Sequence, residues 1–320
     1  MQKSKVKKTI KQFENKIICG DILESLKEIP KDSIDMVFAD PPFNLNKKYS
    51  NSNDQKDIEE YLQWCYDWID ECIRVLKPSG TLFLHNIPKW LVYYANHLNE
   101  KGMYFKHWIA WEAPGTPLGK TLYPAHYGIL YYTKSKKDFK FYNIRIPHKR
   151  CRVCKEVQKD YGGKKVQMHP FGPVLSDVWS DLHRIRHKTR RDSHPNQLPE
   201  PVMERLVMIC TEKGDVVLDP LIGTGTTALA AKRLGRKYIG IDNSEDYVRV
   251  SKEKLKEINS SDTNGYVYNY NKKGQTKTSA NKKFAKIHSI ADKDIIVDKK
   301  KLDDEKPSMY YDYELKISKE

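Results

Sequence analysis

The sequence predicts a mixed α/β fold in which a largely parallel sheet carries helices on both faces. Two patterns lead to this prediction. Short apolar runs alternate with amphipathic stretches along most of the chain, as they do in successive β-α-β units. The runs end in acidic or glycine-rich turns, where folds of this class place their ligands. The 320 residues suffice for one large α/β domain with an appendage, or for two small domains.

The first half of the chain begins as β-α-β and continues with the same alternation. Apolar runs predict five strands, at residues 16–21, 34–39, 81–85, 104–111 and 128–132. Apolar residues at helical spacing predict three helices, at residues 22–29, 58–76 and 89–99. Pro78-Ser79-Gly80 ends the second of these helices, and Lys101-Gly102 ends the third.

The periodicity lapses from residue 113 to about residue 192, in a segment rich in Gly, Pro, His, Lys and Arg that predicts an inserted, loop-heavy module. Regular structure then returns, with helices at 200–210, 226–234 and 246–258 and strands at 216–219 and 238–242. Beyond residue 259 the composition predicts a weakly packed extension, in which residues 295–297 and 309–317 could pair as strands.

The charge balance points to a polyanionic partner. The formal net charge is +15, from 57 Lys and Arg against 42 Asp and Glu, and nucleic acid is the usual partner of such a chain. No apolar run approaches the roughly 20 residues that cross a bilayer. The first eight residues are charged and lack the apolar segment of a signal peptide. These features predict a cytoplasmic protein whose six cysteines are reduced thiols or metal ligands, with Cys19, Cys65, Cys72 and Cys210 in the core.

Asp40-Pro41-Pro42-Phe43 directly follows the apolar run at 34–39 and holds the candidate catalytic residues. The lone pair of a nucleobase amino group is delocalised into the ring, and the Asp40 carboxylate and Pro41 carbonyl can accept both of its N–H bonds. Pro41 and Pro42 remove two backbone donors from the loop. Phe43 can stack on a base that has left the helix. The tetrapeptide is also ordinary turn chemistry, so the downstream motifs decide between the two interpretations.

A glycine-rich loop lies between the predicted strand at 216–219 and the helix at 226–234. Its glycines let the backbone approach a ligand, and the helix N-terminus offers free N–H groups. The candidate cofactor residues are Asp219, Pro220, Gly223, Thr224, Gly225 and Thr226. Asp242 ends the next strand, where a carboxylate can bind ribose hydroxyls. Asp21 is a further ribose candidate, although a helix N-cap is the commoner role of an acid in that position.

Two cofactor classes fit this loop. Gly223-x-Gly225-x-x-Ala228 satisfies the dinucleotide fingerprint, which predicts a nicotinamide or flavin enzyme. Asp219, directly before the glycines, would face a pyrophosphate unfavourably. It suits the cationic amino acid part of S-adenosylmethionine, whose adenosine Asp242 and Asp21 could hold.

Taken together, these motifs resemble the amino-methyltransferases of bacterial restriction–modification systems, in the permuted beta group where the catalytic motif precedes the cofactor motif. The matching segments, in order, are Asp40-Pro41-Pro42-Phe43, His194-Pro195-Asn196-Gln197-Leu198-Pro199, residues 219–227 and Gly240-Ile241-Asp242. The resemblance implies a Rossmann-like S-adenosylmethionine-dependent methyltransferase fold, circularly permuted, with a mostly parallel seven-stranded sheet and an inserted target-recognition module. Permutation leaves a cleft at the carboxyl ends of the strands intact.

The resemblance also implies a role for each motif. The loop at 40–43 holds the target amino group, the loop at 219–225 binds the methionine part of the cofactor, and Asp242 binds its ribose. The cofactor pocket is lined by His194, Pro195 and Gln197. Two residues depart from the family pattern: Leu221 stands where Phe is usual, and Leu198 where Lys is common.

The implied organisation has four parts. Residues 1–112 form the catalytic half, 113–192 an inserted basic target-recognition region with one or two core strands, 193–258 the cofactor-binding half, and 259–320 a lysine-rich extension. The candidate DNA contacts lie in the basic clusters of the inserted region, although a solvated surface is the usual role of a charge run. They are Arg150, Arg152, Lys164, Lys165, Arg184, Arg186, Lys188, Arg190 and Arg191.

Cys151 and Cys154 have the spacing of half a tetrahedral zinc site, which His148 and His169 could complete. No second cysteine pair lies nearby and the histidines have no strict spacing. We therefore favour two unligated thiols over a structural zinc.

The sequence thus predicts a DNA amino-methyltransferase that uses S-adenosylmethionine. It would be the modification half of a type II pair, with a cognate restriction endonuclease acting on the same site. N6 of adenine is favoured because the loop begins with Asp rather than Ser, and N4 of cytosine is the alternative. Two alternatives belong to other classes, a dinucleotide-dependent oxidoreductase and a catalytically silent DNA-binding module. Double-stranded DNA is the predicted partner, no membrane partner is expected, and a homodimer is compatible with the sequence.

Overall fold

The computed structural model describes residues 8–45, 56–113, 122–146, 173–182 and 198–258, together with four short strands near the C-terminus. The chain divides into two compact units. One comprises Met1–Phe141 and Asp177–Asn259, and the other comprises Tyr142–Ser176 and Ser260–Glu320. Within the described ranges, no helix is long and apolar enough to cross a membrane.

The first unit alternates strands and helices in the predicted order. Its strands are β1 (Lys16–Cys19), β2 (Ile34–Ala39), β3 (Leu76–Asn86), β4 (Tyr104–Glu112), β5 (His126–Thr133), β7 (Val178–Trp179), β8 (Val216–Asp219) and β9 (Lys237–Asp242). Its helices are α1 (Ile22–Glu28), α2 (Ile58–Val75), α3 (Pro88–Glu100), α4 (Glu200–Cys210), α5 (Thr226–Arg233) and α6 (Glu245–Glu257). A short 3-10 turn, Ile10–Gln12, precedes β1.

These strands form one sheet in the order β1-β9-β8-β2-β3-β5-β4-β7. Every neighbouring pair is parallel except the two pairs made by β5, which runs against the rest. Seven of the eight strands are the predicted ones. The eighth, β7, is only two residues long and too short for any periodicity to show. The sheet is therefore largely parallel, as predicted.

Both faces of the sheet are covered. One apolar cluster joins residues of α1, α2 and α3 to the sheet, and another joins α5 and α6 to it. All six residues of β2 are buried, because this strand lies between β8 and β3 under both layers. Of the cysteines expected in the core, Cys65, Cys72 and Cys210 are buried. Cys19 is exposed, because it ends the edge strand β1.

A buried arginine ties β7 to the core. The guanidinium of Arg205, on α4, donates to both carboxylate oxygens of Asp181, and its Cζ lies 5.3 Å from the centroid of the buried Trp179 ring. The indole of Trp111, on β4, donates to the Leu182 carbonyl at 2.8 Å. These contacts hold β7 and the three residues after it against the edge of the sheet.

The second unit is built from short pairings. β6 (Ile144–Arg145) pairs antiparallel with β12 (Ile290–Ala291). A three-stranded sheet is formed by β10 (Tyr268–Tyr270), β11 (Thr276–Thr278) and β13 (Glu314–Leu315). Residues 295–297, one of the two segments expected to pair here, lie outside the described residues. This unit combines part of the predicted inserted region with the C-terminal extension. The predicted division into a catalytic half, an inserted region, a cofactor-binding half and an extension stays a prediction.

We expect Arg205→Ala to lower the free energy of unfolding by about 3 kcal/mol, because it leaves the Asp181 carboxylate without its buried partner. Urea unfolding followed by circular dichroism measures this. Arg249→Ala is the matched control. Within the described residues Arg249 pairs with exposed acids on α6, and its loss should cost less than about 1 kcal/mol. Equal losses for the two variants would contradict the structural role given to Arg205.

Candidate active site

A crevice is expected between β2 and β8, where the connections of the sheet diverge. The two strands are parallel neighbours, with Met36 opposite Val217 and Val37 opposite Leu218. From β2 the chain crosses through α2 to β3 on one side, and from β8 it crosses through α5 to β9 on the other. Such a switch point is where open α/β sheets bind ligands. Asp40 directly follows β2 and Asp219 ends β8, so both predicted loops start at this point.

Side chains of α6 hold the glycine-rich loop after β8 through hydrogen bonds to its carbonyls. Ser251 Oγ donates to the Gly223 carbonyl at 2.8 Å, and Lys254 Nζ donates to the Thr224 carbonyl at 3.0 Å. Gly225 has a φ of +91°, and a Cβ there would lie 2.9 Å from Ser251 Oγ. Glycine is the residue that adopts this left-handed backbone readily and also has no Cβ to clash with Ser251. The loop therefore leads into α5 through a left-handed residue, leaving the first N–H groups of this helix without a side-chain cap.

Asp219 is a buried carboxyl with an unusual proton affinity. Its pKa is raised to about 7, chiefly by burial and to a smaller extent by the charges of Asp40 and Asp242. Hydrogen bonds from the Thr227 hydroxyl to Oδ2 and from the Leu221 N–H to Oδ1 act in the opposite direction. The three acids are thus close enough to interact, as expected if the two loops face one crevice.

Asp242 braces the same loop from β9. Its Oδ2 accepts the Gly223 N–H at 2.9 Å, and its Oδ1 accepts the Ser244 N–H at 2.8 Å. Burial raises the pKa of this carboxyl, against the effect of both hydrogen bonds. Among the described residues, no Lys or Arg forms an ion pair with Asp219 or Asp242. In the part of the chain that the structure describes, acidic groups therefore gather at this switch point, and no lysine or arginine is paired with these two acids.

Side chains of α2 and α3 hold the backbone of the loop after β2. Tyr61, on α2, donates its hydroxyl proton to the Pro42 carbonyl at 2.5 Å, and the Trp90 indole, on α3, donates to the Phe43 carbonyl at 2.7 Å. In the described part of the chain we see no hydrogen bond to the carbonyl of Pro41. This carbonyl is the one that the sequence assigns to the target amino group.

The Asp40 side chain meets residues that the sequence analysis missed. His85, near the end of β3, lies with Nδ1 2.7 Å from Asp40 Oδ1. Aromatic rings surround this imidazole, with centroids 5.4 Å away for Tyr127, 5.8 Å for Phe43 and 5.9 Å for Trp111. The signal in the sequence was a polar His85 closing an apolar strand. Nothing in the sequence showed that β3 would lie beside β2.

The other predicted residues are placed as follows. Phe43 is buried between His85 and Tyr127, so its stacking on a base stays a prediction. Asp21 caps α1, with Oδ1 accepting the N–H groups of Leu23 and Glu24, and a ribose contact stays a prediction. Pro220 and Thr224 are buried in the loop, and Thr226 is buried at the start of α5. Three sets lie outside the described residues: the pocket residues His194, Pro195 and Gln197; the pair Cys151 and Cys154; and the nine basic residues assigned to DNA.

Comparison with known proteins identifies the family. The sequence model of the N6/N4 methyltransferases, described as DNA methylase, matches residues 34–253. The chain belongs to this family. S-adenosylmethionine is the cofactor of these enzymes, as predicted. The match also decides against a dinucleotide-dependent oxidoreductase.

Individual relatives agree with this assignment. The chain is 45% identical over 243 residues to type II methyltransferase M.BamHI of Bacillus amyloliquefaciens, an alignment covering 75% of this chain and 57% of that protein. It is 30% identical over 247 residues to DNA adenine methyltransferase YhdJ of Escherichia coli (strain K12), covering 75% and 82%. The cytosine-N4-specific PvuII DNA methyltransferase structure has a TM-score of 0.55 at 19% identity, covering 77% and 89%, and this likeness confirms the fold.

We expect Asp219 to make stability fall as pH rises. Its folded-state pKa of about 7 exceeds the ordinary value of 3.8, so the folded carboxyl keeps a proton that the unfolded chain has lost. The free energy of unfolding should then decrease between about pH 4 and about pH 7. Asp219→Asn should show a smaller decrease in urea unfolding at about pH 5 and about pH 8. An unchanged decrease in this variant would place the titration elsewhere.

We expect Gly225→Ala to lower the free energy of unfolding by about 2–4 kcal/mol, from its left-handed backbone and the contact with Ser251. Gly214→Ala is the matched control. Gly214 has a φ of +88° and open space around it, so its variant carries only the backbone cost of about 1–2 kcal/mol. Urea unfolding compares the two, and equal losses would show that the contact with Ser251 is not restrictive.

Proposed function

We propose that this protein transfers a methyl group from S-adenosylmethionine to an exocyclic amino group of a base in double-stranded DNA. The observation that carries this proposal is the gathering of Asp40, Asp219 and Asp242 at the switch point of the sheet. When bound, the cofactor supplies an activated methyl group on a cationic sulfur, and its amino acid part carries an ammonium group. A crevice rich in carboxylates suits such a ligand and disfavours the pyrophosphate of a dinucleotide.

The residues fit this cofactor in two further ways. Gly223 and Gly225 have no side chains to keep a ligand from the backbone, and the shape of this loop is braced by Ser251, Lys254 and Asp242. Asp219 is desolvated, so an ammonium group would find it strongly attractive once the carboxyl is ionised. We assign the methionine part of the cofactor to this loop and its ribose to the Asp242 edge.

The catalytic step follows from positioning. Asp40 and the Pro41 carbonyl accept hydrogen bonds from both N–H groups of the target amino group, which draws the nitrogen lone pair out of conjugation with the base. When bound, the cofactor would supply the methyl group to this nitrogen and leave as S-adenosylhomocysteine, and the methylated nitrogen would release one of its two protons to solvent. Burial of the site and its pre-set acceptors supply most of the acceleration. The target base must leave the helix to reach this depth.

The biological setting follows from the relatives. The chain is similar to type II methyltransferases, and we assign it to the modification half of a restriction–modification pair with an endonuclease of the same site as its functional partner. We favour N6 of adenine because the catalytic loop begins with Asp40. The basic clusters between residues 113 and 192 are assigned to DNA contact, and a homodimer stays a prediction.

Incubation with S-adenosylmethionine and DNA from a host without DNA methylases, followed by digestion to nucleosides and mass spectrometry, tests the proposal. We expect N6-methyladenine. N4-methylcytosine would correct the target base and leave the reaction class intact. Binding of DNA without any methylated nucleoside would refute methyl transfer and favour a silent DNA-binding module.

We expect Asp40→Ala to reduce methyl transfer by about 100-fold or more, because one acceptor of the amino group is lost. Cofactor binding, measured by calorimetry, should be little changed, since Asp40 faces the base and not the methionine part. Asp246→Ala, an exposed acid on α6, is the control and should keep its activity. A parallel loss of cofactor affinity in Asp40→Ala would contradict the assigned role.

A further inference from the structure

The contact between His85 and Asp40 extends the proposed function and rests on it. We infer that His85 is a positioning residue for the methyl transfer. Its Nδ1–H donates to Asp40 Oδ1 and so turns the second carboxylate oxygen of Asp40 toward the target amino group. His85 itself touches neither the base nor the cofactor in this assignment.

The sheet register places the two residues side by side. Ala39 of β2 is opposite Leu84 of β3, so the next residues along the parallel strands are Asp40 and His85. Nδ1 and Oδ1 are 2.7 Å apart, a short distance for a nitrogen–oxygen hydrogen bond. The His85 side chain is 2% exposed and that of Asp40 is 16% exposed. The carboxylate is therefore anchored on its buried side and reaches solvent on the other.

The surroundings of the imidazole decide which nitrogen carries the proton. Nε2 is buried and has no hydrogen-bond partner within the described residues, because the rings of Tyr127, Phe43 and Trp111 occupy its neighbourhood. A buried N–H without an acceptor is rarer in proteins than an acceptor without a donor. A proton on Nδ1 faces a carboxylate, whereas a proton on Nε2 would face aromatic rings. The Nδ1–H form is thus favoured.

The loop backbone does not depend on this contact. Tyr61 and Trp90 hold the Pro42 and Phe43 carbonyls from the helical side. Asn86, the residue after His85, points to the opposite face of the strand and lies within 3.5 Å of the Tyr61 and Tyr94 hydroxyl oxygens. Adjacent residues of β3 therefore support different parts of the site. His85 orients the Asp40 carboxylate. Asn86 contacts the Tyr61 hydroxyl, which in turn holds the backbone of the loop at Pro42.

Two variants separate positioning from folding. His85→Leu removes the hydrogen-bond donor and keeps an apolar side chain among the surrounding aromatic rings. His85→Asn keeps a donor close to the place of Nδ1, since its amide nitrogen leaves the same side-chain carbon. The assay follows transfer of labelled methyl groups to DNA from a host without DNA methylases. Calorimetric affinity for S-adenosylmethionine and thermal unfolding are measured on the same preparations.

We expect His85→Leu to lower kcat by about 10- to 100-fold, the range expected for loss of one charge-assisted hydrogen bond. The KM and affinity for S-adenosylmethionine should stay near those of the wild type, and His85→Asn should recover most of the rate. Wild-type rates in His85→Leu would overturn the inference. So would equal losses in both variants accompanied by lower cofactor affinity, which is the pattern of a merely structural residue. An inactive wild-type enzyme would refute the proposed function itself.

A measurement on the wild-type protein covers the case in which His85→Leu fails to fold. Nitrogen-15 NMR of histidine-labelled protein distinguishes protonated from unprotonated ring nitrogens, and His85→Asn assigns the signal. We expect a proton on Nδ1 that exchanges slowly with water. A bare Nδ1 with the proton on Nε2 would overturn the inference.

Discussion

The site depends on the parallel pairing of β2 with β8. These strands are about 180 residues apart in the chain, and their pairing brings the loop that begins at Asp40 next to the loop that begins at Asp219. Parallel strands end at the same edge of a sheet, so two loops that each follow a strand must share that edge. Because the connections leave in opposite directions, neither crossover helix covers the point between them. A change that shifted this register would separate the acceptor of the amino group from the loop assigned to the cofactor.

Each loop is supported from the side away from the crevice. Tyr61 and Trp90 bind carbonyls of the catalytic loop, and Ser251 and Lys254 bind carbonyls of the glycine-rich loop. Because these contacts are made to backbone atoms, they hold the loops in shape without using the groups that face the crevice. The acids of the crevice are therefore crowded and partly desolvated, which raises the pKa of Asp219 and Asp242. Ionising these buried acids costs free energy when no cation is near, and a bound cation offsets that cost.

Much of this arrangement could be predicted from local patterns. The predicted strands and helices of the first unit lie within two residues of their predicted bounds, because alternation and helical spacing are strong signals. The exception among them is β3, which begins five residues early because Leu76 pairs with Ile34 of β2 as soon as α2 ends. The exceptions have physical causes. β7 is too short to carry a period, and its place is decided by Arg205, Asp181 and Trp179, which meet only in the folded chain. Asp21 was a candidate for ribose, and in the structure its carboxylate caps α1, the local role that is commoner for an acid in that position.

By itself, the sequence determined the α/β class, the order of the elements, the two loops and the family, because these depend on residues that are neighbours in the chain. The tertiary structure alone decided that His85 contacts Asp40, that the rings of Tyr127 and Trp111 pack around His85, and that the charges of Asp40 and Asp242 act on Asp219. It also decided that Arg205 holds the edge strand β7 against the core. Such contacts join residues from strands far apart in the chain, and their strength depends on burial and distance, which no spacing along the chain specifies.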